Sequence, residues 1–120
     1  MTLRDPITGQ LRTRAVVGEG CDVTVVATGT ADAPVQAANP NLRLMGYSIG
    51  ESNTPTGADA QATLRHGTSV AGPELVLVEL IADDAETVWF GPNGIKTPNG
   101  IFLERPSGET TAVVFHEIVP

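Results

Sequence analysis

From residue 42 to residue 119 the sequence is a train of short apolar segments, cut by glycine and proline at strand-length intervals. Such punctuation excludes most helices, because these two residue types are the least compatible with a helix interior. The chain holds 13 glycines and 9 prolines in 120 residues. The segments between them favour the β-branched side chains that suit a pleated surface.

Seven strands are predicted, at residues 22–28, 42–49, 60–66, 74–82, 86–90, 101–105 and 109–119. In the third, Ala60, Ala62 and Leu64 alternate with Gln61, Thr63 and Arg65, the period of a half-buried strand. Residues 74–90 are the one run long enough for a good helix. A helix there would be apolar almost all round and would bury Asp83-Asp84 in its middle. Residues 31–41 read as a loop, with Pro34 and Pro40 blocking regular pairing. The doubled Pro-Asn-Gly-Ile at 92–95 and 98–101 reads as two turns, in which proline presets the second position and asparagine tolerates the third. The expected fold is all-β: a single β-sandwich of jelly-roll type over residues 21–120.

Residues 1–20 lack a clean period and are expected to form an extended N-terminal arm. They carry Arg4, Arg12 and Arg14 against Asp5 and Glu19, whereas the remaining residues carry four basic and twelve acidic side chains. The overall formal charge of −7 argues against nucleic acid or an anionic membrane as the main partner. Leu3, Ile7 and Leu11, spaced between the arginines, suit an arm that docks on a surface. No apolar run approaches membrane-spanning length, and the N-terminus is too polar for a signal peptide. The lone cysteine, Cys21, forms no intrachain disulfide and fits synthesis in a reducing cytoplasm.

Several strands are apolar on both faces. Val76, Val78 and Leu80 alternate with Leu75, Leu77 and Ile81, and Val113 and Phe115 oppose Ala112 and Val114. A two-layer domain covers only one face of each strand, so the surplus predicts self-association, the alternative being that the N-terminal arm folds back as the cover. Hiding a few hundred Å² per subunit would contribute on the order of several kcal/mol. The expected oligomer interface uses Leu75, Leu77, Val113, Phe115, Trp89 and Phe90.

Chemistry-bearing residues are sparse. His66 beside Ser69, with Asp59 or Asp83, is the nearest approach to a hydrolytic triad, but no nucleophile-elbow pattern accompanies it. Asp83, Asp84 and Glu86 lack the ligand series and glycine of a calcium loop. One cysteine and two histidines without close spacing do not make a zinc site, and there is no phosphate-cradling loop. No catalytic, metal or cofactor residue is therefore assigned, and no enzymatic activity is expected.

One further pattern is present. The series Leu42-Arg43-Leu44-Met45-Gly46-Tyr47-Ser48-Ile49, Leu64-Arg65-His66-Gly67, Trp89-Phe90-Gly91-Pro92, Asn93-Gly94-Ile95 and Gly100-Ile101-Phe102 resembles small virion proteins of tailed bacteriophages. That group has an aromatic-Ser strand, an L-x-x-G hairpin, a WFGP-x-GI corner and a G-[ILF]-[FY] strand near the end. Here Tyr47 stands where the pattern has tryptophan. The resemblance implies a capsid decoration (cement) or head-fibre protein. It would be a homotrimer on the virion surface, clamping the major capsid protein, with the arm residues Leu3, Arg4, Ile7, Leu11, Arg12 and Arg14 in contact with the shell. The competing expectation is a tail, baseplate or fibre module that touches host glycans through Trp89, Phe90 or Tyr47.

Overall fold

The computed structural model describes residues 21–53 and 56–119. The arm at residues 1–20, with Leu3, Arg4, Ile7, Leu11, Arg12 and Arg14, lies outside the described residues.

Among the described residues, nine strands build two antiparallel sheets and no helix occurs. In chain order they are β1 (Asp22–Gly29), β2 (Ala33–Gln36), β3 (Leu42–Glu51), β4 (Ala60–His66) and β5 (Glu74–Leu80). There follow β6 (Ala85–Trp89), β7 (Ile95–Lys96), β8 (Ile101–Ser107) and β9 (Thr110–Ile118). The first sheet runs β1-β9-β3-β6, with β7 also paired to β3, and the second runs β2-β8-β4-β5.

One apolar cluster joins the sheets. Leu42, Leu44, Tyr47 and Ile49 of β3 contribute from the first sheet, beside Ala112 and Val114 of β9. Ala62 and Leu64 of β4, Val78 and Leu80 of β5, and Ile101 and Leu103 of β8 contribute from the second. The alternation read in residues 60–66 is reproduced here, with Ala60, Ala62 and Leu64 all buried. Each fully buried leucine or isoleucine stabilises the fold by roughly 1.5–3 kcal/mol.

Two segments differ from the sequence expectation. Residues 31–41 contain β2, although Pro34 lies within it. The strand pairs only with β8, as an edge strand, and Pro34 is tolerated there because an edge leaves one side without ladder bonds. The second addition is β7, a two-residue strand too short to show a period. It leaves the first Pro-Asn-Gly-Ile turn just as β8 leaves the second. Gly94 and Gly100, with φ of 62° and 108°, supply the backbone conformations that side chains disfavour.

The alternation of β3 breaks in mid-strand. Leu42 and Leu44 face the core, yet so do Tyr47 and Ile49, and the register against β9 shifts between Leu44 and Gly46. Met45 is the extra residue of a bulge. It turns Gly46 and Ser48 outward.

At the far end of β3 the Glu51 carboxylate gathers the neighbouring loops. It accepts backbone N–H groups from Asp83 at 2.7 Å, Asn53 at 2.6 Å and Ala58 at 3.2 Å. Those donors, led by Asp83, hold its pKa below the usual carboxylate value against the opposing effect of desolvation. Asp83 itself has φ of 62°, a conformation that aspartate tolerates better than most side chains.

Candidate interaction surface

The outer face of the first sheet carries the largest gathering of sequence-predicted interface residues. Cross-strand register places Val23, Phe115, Gly46 and Trp89 in one row across β1, β9, β3 and β6. The next row is Val25, Val113, Ser48 and Thr87. Val23 is 46%, Val25 63% and Trp89 38% exposed, while Val113 and Phe115 are half-buried. The result is an apolar strip that crosses all four strands, bordered by the Ser48–Thr87 hydroxyl pair at 2.8 Å.

Gly46 shapes the centre of this strip. A Cβ at that position would lie 2.5 Å from the Val88 carbonyl oxygen and 3.1 Å from Trp89 Cε3. With no side chain there, the Trp89 ring lies across β3 and meets Phe115 edge-on, centroids 6.2 Å apart. Sequence reasoning missed Gly46. The parity break between Leu44 and Tyr47 was the available signal, since only a bulge lets both face one way.

The other predicted interface residues go elsewhere. Phe90 turns inward and packs against Tyr47, centroids 6.1 Å apart. Leu75 is partly buried against the core. Leu77 is 47% exposed but belongs to β5, on the second sheet. Polar pairs lie beside it there: Arg65 with Glu104 at 2.7 Å and Gln61 with Glu79 at 3.0 Å.

The residues weighed for chemistry are dispersed. His66 closes β4 whereas Asp59 precedes its start, a separation of about 20 Å along an extended strand. The His66 Nε2 accepts the Asn99 backbone N–H at 3.1 Å. Among the described residues, no group of three or more His, Cys, Asp or Glu side chains is placed to hold a metal ion. Tyr47 is 2% exposed. Its hydroxyl donates to Glu86, and burial followed by that bond pushes its pKa well above the phenolic value. The Cys21 thiol is also pushed up, first by burial and then by Glu117 and Asp22, which lowers its nucleophilicity.

Two buried polar side chains tie the edge strand β1 to the body. His116, 4% exposed, shares a 2.7 Å hydrogen bond between its Nε2 and Thr24 Oγ1. Burial lowers its pKa, with Asp22 opposing. Arg105, 6% exposed, donates to the Ala27 carbonyl at 3.0 Å and the Thr110 carbonyl at 2.9 Å. Burial lowers its pKa too, against Asp32 and Glu109.

Hollows open on the surface formed by the described residues. One of about 560 Å³ lies between Asp59, Gln61, Glu79, Ile81 and Ser107, and one of about 200 Å³ lies between Pro40, Asn41, Arg43, Lys96 and Val119. Neither is lined by an aromatic side chain. No protein-family model matches the chain, and neither a curated protein nor a solved structure matches it.

Proposed function

We propose that this protein is a structural virion component of a tailed bacteriophage, a capsid decoration protein that self-associates, as a trimer, on the outer shell. The observation that carries the reading is the strip formed by Val23, Val25, Trp89, Val113 and Phe115 on the outer face of the first sheet. The described residues supply no third layer to cover it, and contiguous exposed apolar surface of this kind marks a contact. The strand order supports a jelly-roll β-sandwich: β1-β9-β3-β6 faces β2-β8-β4-β5, so the chain repeatedly changes sheets between consecutive strands.

In this reading the first sheet's outer face joins subunits. Residues 1–20 contact the major capsid protein through Leu3, Ile7 and Leu11, with Arg4, Arg12 and Arg14 on an acidic shell. The role is architectural, with many weak contacts summed over many copies, and it requires no cofactor. The sequence resemblance to decoration proteins supplies the particle; the strip supplies the reason to associate.

The test is co-sedimentation of the purified protein with tail-free heads from its own source. Saturable pelleting in fixed ratio to the shell subunit is expected. Absence of binding to heads would overturn the decoration reading in favour of a tail or fibre module.

A further inference from the structure

The basic side chains are unevenly placed along the strands. Asp32, Glu51, Asp59, Asp83, Asp84 and Glu109 gather at the end where β3 finishes and β9 begins. Arg105, the cation of that end among the described residues, is buried. Arg43, Arg65 and Lys96 lie at the opposite end, where β3 begins and β4 finishes, interspersed with Asp22, Glu74, Glu104 and Glu117. Arg65 is committed to Glu104 at 2.7 Å. Among the described residues Arg43 and Lys96 remain, side by side in register on β3 and β7.

These two cations line the recess of about 200 Å³, with Pro40, Asn41, Leu42 and Val119 as its other walls. The Arg43 guanidinium is oriented rather than free. Its Nη1 donates to the Asn93 carbonyl oxygen at 2.7 Å, in the first Pro-Asn-Gly-Ile turn, which leaves its remaining donors for a ligand. Glu117 pairs with Arg43 in register on the side away from Lys96 and moderates the local charge.

We propose that this recess binds a carboxylate group from an acidic segment of a partner protein, with Arg43 supplying directed donors and Lys96 a point charge. The ligand class follows from scale. Two cations in a small recess hold one or two carboxylates of a short acidic run, whereas a formal charge of −7 over the whole chain repels a long polyanion such as nucleic acid or an anionic bilayer. The donor fork of Arg matches carboxylate and phosphate alike, and the acidic side chains of a protein partner supply the former. The site is separate from the apolar strip and does not depend on which particle the protein attaches to.

Titrating ¹⁵N-labelled protein with hexaglutamate tests this. Amide shifts should centre on Arg43, Asn93 and Lys96, weaken as salt is raised, and report a Kd about tenfold higher in the Arg43→Gln/Lys96→Gln variant. Both side chains lie at the surface, so the remainder of the variant's spectrum serves as its folding control. Shifts centred elsewhere, or an unchanged Kd in the variant, would overturn the assignment. Equal displacement by inorganic phosphate would overturn its preference for carboxylate.

Discussion

Trp89 meets Phe115 edge-on, ring planes at 71° and centroids 6.2 Å apart, although their strands are separated by β3. The contact exists because the intervening residue of the row is Gly46. The two rings thus form one raised surface continuous with Val23, Val25 and Val113, and several expectations rest on it.

The strip should govern assembly. Replacing Val113 or Val25 with aspartate puts a charge on the outer face without touching the buried cluster. Sedimentation velocity is expected to shift from oligomer to monomer while the circular dichroism spectrum stays that of a β protein. An oligomer unchanged in the double variant would place the interface elsewhere.

Gly46 should be intolerant of even one methyl group. The added Cβ would press on the Val88 carbonyl and the Trp89 ring, so Gly46→Ala should cost about 1–3 kcal/mol, the usual range for overpacking. Displacing the indole should also red-shift its emission. A denaturation midpoint and emission maximum equal to the parent's would refute the packing argument.

His116 should make the protein less stable in mild acid. Its pKa is lowered from 6.5 by burial, so the unfolded chain binds the proton more readily. The stability concerned is fully present above about pH 6.5 and is lost as pH falls from there through the lower folded value. Urea midpoints should fall between about pH 8 and pH 5, and less steeply in His116→Gln. An identical fall in the variant would assign the effect to another group.

Arg105 should matter through the carbonyls it serves. Removing it leaves the Ala27 and Thr110 oxygens without their side-chain donor, and Arg105→Ala should cost about 3 kcal/mol. Hydrogen exchange should rise first at the end of β1, the edge strand held by the Ala27 bond. Unchanged protection at that end would show that the backbone ladder alone secures it.

Much of the fold was legible because strands announce themselves locally. Alternation at 60–66 and β-branched runs at 22–28 and 109–119 needed no tertiary information, and the two Pro-Asn-Gly-Ile turns could be read from backbone preference alone. Pro34 misled because a proline is read as a breaker until the strand is known to be an edge. The exposed apolar strip was half legible. Trp89, Val113 and Phe115 meet on one face, but Phe90 and Leu75 pack toward the core, and which member of an apolar pair faces inward depends on registers that local pattern does not contain.

By itself, the order of residues determined the β character, the turn positions and the presence of more apolar surface than two layers cover. Only the tertiary structure decided where the surplus collects. Pairing Asp22 with His116 and Gly46 with both Phe115 and Trp89 joins segments far apart in the chain, and the Met45 bulge reverses the outward parity of β3 midway. Backbone hydrogen bonds form much alike in any register, so the choice falls to which side chains can be buried together across both sheets, a property no single strand possesses.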